Sequence, residues 1–298
     1  MNYRGLFVAI LFICSGALFA QESPSERCGR LNYSSDSRPV QYCIFQDRRS
    51  TNKDVIWLFQ AFIGGEREWT LKKRWKLLRL TLNKANYQMP TVITVSWGQF
   101  FLMVPENSAS KSGLYDLFVN DAMPALESMV PGFSGKRIGI GASMGGFNLA
   151  QVAFRNPSLF QKLVFVSPLV ESIAPWRGNI TKYTNENKAS YLKTSLLQSE
   201  LKYYYKTDED FFEDVLLNII PQNNNVAVPV YLSTTAEDDY GFRPSHKKFN
   251  DKLLDAGFNV EFHDLKTASE MSISGKVNKY PAEHAMIDEV SLSQFLMN

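Results

Sequence analysis

The chain is poor in the residues that build metal and redox centres: its 298 residues include three cysteines and three histidines. None of them lies at the paired spacing of a metal site, so no metal is expected. A glycine-rich phosphate loop is also missing, which removes the sequence basis for a bound nucleotide, and no cofactor is expected. There is no excess of charge of either sign, with 32 basic residues against 30 acidic ones. That balance gives no reason to expect nucleic acid as a partner. Beyond the N-terminus no apolar run is long enough to span a bilayer, and no segment repeats.

The N-terminus differs from the rest. Arg4 precedes an apolar run from Gly5 to Ile13, followed by small residues up to Ala20. One positive charge, a short apolar segment and a small-residue boundary are the pattern of a signal peptide, expected over residues 1–20. The mature protein is then secreted or periplasmic, with no stable membrane insertion. In such an oxidising compartment the two remaining cysteines, Cys28 and Cys43, are expected to pair. A loop of that size, once closed, contributes on the order of 3 kcal/mol by the chain-entropy argument.

Residues 21–298 read as one α/β domain, because short apolar runs alternate with amphipathic segments. Strands are expected at 41–46, 55–60, 91–96, 137–141, 162–167, 228–234 and 259–265, forming a mainly parallel sheet flanked by helices. Leu71, Trp75, Leu78 and Leu82 recur at helical spacing, which leaves Lys72, Lys73, Arg74, Lys76 and Arg79 on flanking positions, read as a solvated surface with a basic binding face as the alternative. Another helix is expected over 115–129. Between 168 and 227 the alternation stops, and a polar, tyrosine-rich stretch reads as an inserted helical cap. Thr207 and Asp210 supply a helix start within it, and Pro221 a stop.

Gly141, Ala142, Ser143, Met144 and Gly145 place a serine between glycines where a strand gives way to a helix. A random chain of this length contains that pattern about one time in ten, so the flanks carry the argument. Upstream, 136–140 reads as a buried strand; downstream, Phe147, Leu149, Val152 and Ala153 form a helical apolar face. A serine on so sharp a turn needs neighbours without side chains, and Gly146 adds clearance. The turn lifts the hydroxyl above the sheet and aims the Met144 amide at a developing oxyanion.

A serine hydroxyl needs a base, and the base needs an orienting acid. Of the histidines, His246 sits at a helix start and reads as exposed, and His263 lies within the last strand as a structural residue. His284, between that strand and a final helix, is the expected base. The acid is expected after strand 228–234, where Glu237, Asp238 and Asp239 lie together; Asp238 is favoured and Asp239 is the alternative. A second oxyanion donor is expected from the loop after strand 55–60, at the Phe62 amide. Trp97, Phe100, Phe101 and Trp176 are available either to a substrate pocket or to the core.

These residues together resemble the α/β-hydrolase superfamily, in its esterase branch of esterase D-like, feruloyl esterase-like and secreted mycolyltransferase proteins. Gly141 to Gly146, Asn156 to Phe160, Ser167 with Pro168, and the order Ser143, Asp238, His284 carry the resemblance. It implies ester hydrolysis through an acyl-enzyme on Ser143, with His284 as base, Asp238 as acid, and Phe62 and Met144 as oxyanion donors. A small-molecule or polysaccharide-linked ester is the implied substrate. The chain departs from the family at Gln60 and Ala61, where His and Gly are frequent, and in the long segment 266–283 before the base. The same residues also suit acyl transfer to a sugar or lipid hydroxyl, and a non-catalytic binding protein on the same scaffold is the alternative from another class.

Overall fold

The computed structural model describes residues 25–33, 36–48, 50–222, 228–271, 277–281 and 284–298. The expected signal peptide over residues 1–20 lies outside the described residues.

The elements follow in chain order. The first half comprises β1 (Ser25–Tyr33), β2 (Asp36–Gln46), β3 (Val55–Phe59), α1 (Glu68–Leu71), α2 (Lys73–Lys84), β4 (Thr91–Ser96), α3 (Leu114–Leu117) and α4 (Met123–Glu127). A π turn at Phe118–Ala122 joins α3 to α4, so the helix expected over 115–129 is present but locally underwound. Next come β5 (Arg137–Ala142), α5 (Met144–Arg155) and β6 (Lys162–Val166). Four helices follow: α6 (Ile180–Asn187), α7 (Tyr191–Leu201), α8 (Asp208–Asp214) and α9 (Leu216–Ile219). The chain ends with β7 (Pro229–Thr235), α10 (Arg243–Asp255), β8 (Asn259–Leu265), the β9 (Thr267–Met271) and β10 (Val277–Pro281) pair, and α11 (Glu289–Met297).

Eight strands form one sheet in the order β1-β2-β4-β3-β5-β6-β7-β8. From β4 to β8 all neighbours are parallel, while β1 and β2 run antiparallel at one edge. Cys28 faces Cys43 in the β1–β2 register, and the two form a disulfide. Strand β3 shows why the sheet has helices on both faces. Val55, Trp57 and Phe59 enter one core with α5 and α10, whereas Ile56 and Leu58 enter the other with α2 and α11. Alternate residues of a strand point to opposite faces, so a strand of apolar residues throughout needs two covers.

Three expectations need correction. The helix read through Leu71 and Trp75 is broken at Lys72, whose backbone is extended, and Leu71 is exposed. The helix start at Thr207 is present as a capping box, but the helix breaks at Val215, well before Pro221. Segment 266–283, expected as a long loop, contains the antiparallel β9–β10 hairpin.

Candidate active site

Ser143 lies between the end of β5 and the start of α5, with φ 53° and ψ −118°. That conformation is disfavoured for a residue with a Cβ, and the surroundings hold it there. The Ser143 amide donates to the Val166 carbonyl at 2.9 Å, and the Ser143 carbonyl accepts from Gly146 at 2.9 Å and Leu169 at 3.0 Å. Glycine is required at 145 because an added Cβ would lie 2.0 Å from the Phe59 carbonyl oxygen. This close approach lets the start of α5 rest against the end of β3, which leads into the loop carrying Phe62.

The structure brings Ser143, His284 and Asp238 together. His284 Nε2 is 2.9 Å from Ser143 Oγ, and His284 Nδ1 is 3.0 Å from Asp238 Oδ1. The second pair is at hydrogen-bond distance with the ring N–H off line, as catalytic pairs often are before substrate binds. Their side chains are only 11% and 1% exposed. Asp238 Oδ1 also accepts from the Tyr240 amide at 3.1 Å, and Oδ2 accepts from the Arg243 amide at 2.7 Å. Burial works to raise the Asp238 pKa, but His284 close beside it, with smaller help from His246 and the Tyr240 amide, holds it below the usual aspartate value. Asp238 is thereby kept ionised beside the ring. Asp239 turns away: it is 49% exposed and pairs with Lys193.

Phe62 and Met144 both line a cavity with Ser143. Among the described residues, neither backbone amide carries a hydrogen bond, so both remain free to donate. The Phe62 loop is held in an unexpected way. Glu68 Oε2 accepts from the Ala61 amide at 2.9 Å, and Oε1 accepts from Trp75 Nε1 at 3.2 Å. Gln60 donates from Nε2 to the Gly98 carbonyl at 2.9 Å. Burial raises the Glu68 pKa against the lowering effect of the Trp75 and Ala61 bonds and of Lys72. No local motif announces Glu68, because its partners lie on the preceding loop and the following helix. Lys72 and Arg74, expected on a solvated face, also line a cavity with Ser143 and His284.

The other histidines divide differently from expectation. His246 is fully buried rather than exposed: Nδ1 lies 2.6 Å from Thr234 Oγ1, and Nε2 lies 2.7 Å from the Pro168 carbonyl. Burial lowers its pKa to about 4, so it is neutral near pH 7. Since a carbonyl only accepts, Nε2 carries the proton and the Thr234 hydroxyl donates to Nδ1. His263 stacks on Tyr231 and bonds Glu261 at 2.7 Å, which is a structural role. Of the four aromatics, Phe100 lines the cavity at Ser143, Phe101 is buried in the core, and Trp176 is half exposed. Trp97 donates to the Arg38 carbonyl at 3.3 Å.

Comparison with protein-family models and with curated protein sequences finds no match. Solved structures do match in fold. A ferulic acid esterase superposes with a TM-score of 0.53 at 16% identity, over 82% of this chain and 91% of that one. An S-formylglutathione hydrolase from Agrobacterium tumefaciens gives 0.53 at 15% identity, over 80% and 86%. A hyperthermophilic esterase from the archaeon Pyrobaculum calidifontis gives 0.55 at 15% identity, over 81% and 76%. The mostly parallel, helix-flanked sheet is thus the α/β-hydrolase fold that these esterases share.

Proposed function

We propose that this protein is a serine carboxylesterase acting through an acyl-enzyme on Ser143. The observation that carries the reading is the placement of His284, with Nε2 2.9 Å from Ser143 Oγ and Nδ1 3.0 Å from the buried, ionised Asp238. The names of the fold neighbours as esterases agree with it.

In this reading His284 Nε2 removes the Ser143 proton as Oγ attacks the ester carbonyl. The free amides of Phe62 and Met144 stabilise the oxyanion, each worth about 3 kcal/mol in the transition state. Asp238 holds the ring in the tautomer with the proton on Nδ1 and stabilises the imidazolium. His284 then gives its proton to the departing alcohol, and water repeats the sequence to release the acid. Helices α6 to α9 serve as the cap, with Leu197 and Glu200 of α7 lining a cavity at the serine. Export is part of the proposal, and the Cys28–Cys43 disulfide supports it.

A fluorophosphonate probe tests the nucleophile. It should label the wild-type protein and spare Ser143→Ala, and hydrolysis of 4-nitrophenyl acetate should fall by about a million-fold in the same variant. Labelling that persists without Ser143 would rule out the assignment.

A further inference from the structure

Two cavities meet at Ser143, and the chemistry decides which half of an ester each can hold. One, about 250 Å³, is shared by Ser143 and His284 and is walled by Glu68, Lys72, Arg74 and Trp75. The other, about 10 Å³, includes Ser143 and Met144 but not His284, and is walled by Phe100, Leu197 and Phe242, with Phe62 and Tyr240 common to both cavities. When the tetrahedral intermediate collapses, the bond from the acyl carbon to the alcohol oxygen breaks and that oxygen takes the proton from His284 Nε2. The alcohol therefore lies on the His284 side. The acyl carbon stays bonded to Ser143 Oγ with its oxygen toward the Phe62 and Met144 amides, so its substituent extends into the smaller cavity.

Volume then sets the acyl group. About 10–15 Å³ is the least that accepts one water-sized body, so at about 10 Å³ the acyl side favours the shortest acyl groups and excludes long chains. Its wall is braced. The Phe100 ring meets Phe62 and Tyr204 edge-on, at centroid distances of 5.5 and 5.8 Å, and the Tyr204 hydroxyl donates to the Phe100 carbonyl at 3.0 Å. Both Phe100 and Leu197 are buried. We propose, building on the esterase reading, that the enzyme selects acetyl esters and takes the bulk of its substrate on the alcohol side.

An isomeric pair tests this without changing composition or overall hydrophobicity. Hexyl acetate puts the long chain on the alcohol, and ethyl hexanoate puts it on the acid. The wild-type protein should cleave hexyl acetate with a kcat/KM at least about a hundred-fold higher, since each methylene that a pocket has no room for costs about ten- to two-hundred-fold. Leu197→Ala opens the acyl side and should narrow that ratio about ten-fold. Phe100→Leu provides the same readout if the first variant does not fold. The ratio is the measurement, because a loss of folded protein lowers both rates equally. Hydrolysis of ethyl hexanoate at an equal or higher rate overturns the acetyl selectivity alone. Failure to cleave either ester, with no labelling of Ser143, overturns the esterase reading and this proposal with it.

Discussion

At Gly145 one added carbon would lie 2.0 Å from the Phe59 carbonyl, whereas at Gly65, on the loop across the site, an added carbon meets nothing within 4 Å. The nucleophile turn is thus held by the backbones around it, with Ser143 anchored to β6 and α5 packed against the end of β3. The Phe62 loop is enclosed at Gly64, where an added carbon would lie 2.8 Å from the Ala61 carbonyl oxygen, and is open beyond it. Ile63 on that loop has a positive φ of 60° and is 58% exposed, and the loop is tied by the side chains of Gln60 and Glu68. One side of the reaction is positioned by packing and the other by a few polar bonds. Substitutions on the two sides should therefore fail differently.

Asp238 belongs to neither wall and gives the scale for both. Asp238→Asn should reduce kcat about ten-thousand-fold while leaving the fold intact, checked by steady-state kinetics and circular dichroism. Gly145→Ala attacks the packed wall, and overpacking there should lower unfolding stability by about 3 kcal/mol in urea titration, with activity lost together with the fold.

His246 tests the same wall through pH, because it ties Thr234 to the Pro168 carbonyl behind the nucleophile turn. Its folded pKa, about 4, lies below the unfolded value of 6.5, so the unfolded chain binds the extra proton between those values. The stability that neutral His246 contributes is present above pH 6.5 and lost as pH falls toward 4, on the order of 3 kcal/mol. Asp214, raised by burial from 3.8 to about 6, acts in the opposite sense: the folded state takes its proton first, so stability rises as pH falls through that window. The measurement is therefore the difference between wild type and His246→Gln, whose pH dependence should lack the histidine contribution.

Glu68→Gln probes the polar wall. An amide cannot accept from both Ala61 and Trp75 in the way the two carboxylate oxygens do, so one tie is lost. Here kcat should fall about ten- to a hundred-fold with KM little changed, the signature of a displaced oxyanion donor rather than a lost substrate contact. The smallest effect is expected at Asp239. Its ion pair with Lys193 is solvent-exposed, so Asp239→Asn should change kcat by less than about three-fold.

Much of the sheet was legible because β3 to β7 are buried on both faces and read as short runs of apolar and β-branched residues. Strand β1, which includes Glu26, Arg27 and Arg30, offers no such run and is recognised only by its pairing with β2. Ser143 was visible from local pattern alone, and the order of acid and base narrowed the partners. Asp238 was favoured over Asp239 by its place in the turn, but both stayed open, since adjacent residues after a strand differ only in the direction the turn gives them. His246 carried a signal that the adjacent Lys247 and Lys248 obscured: it shares helical spacing with Phe249 and Leu253, both buried on α10. Glu68 escaped notice, and Lys72 and Arg74 were read as solvated, because their place beside the cavity depends on the break between α1 and α2.

The link between α2 and α11 bears on how the molecule is made. Arg74 NH1 meets the buried Glu289 at 3.0 Å across 215 positions of chain, and Leu292, Phe295 and Leu296 seal the core that Trp75, Leu78 and Leu82 began. His284 stands just before that final helix. Contacts of such long sequence separation form late, after the entropy of closing the intervening loop has been met. On the proposed reading, a newly synthesised chain can thus complete its central strands and the Ser143 turn before His284 is in place, and reactivity arrives only when the last helix docks.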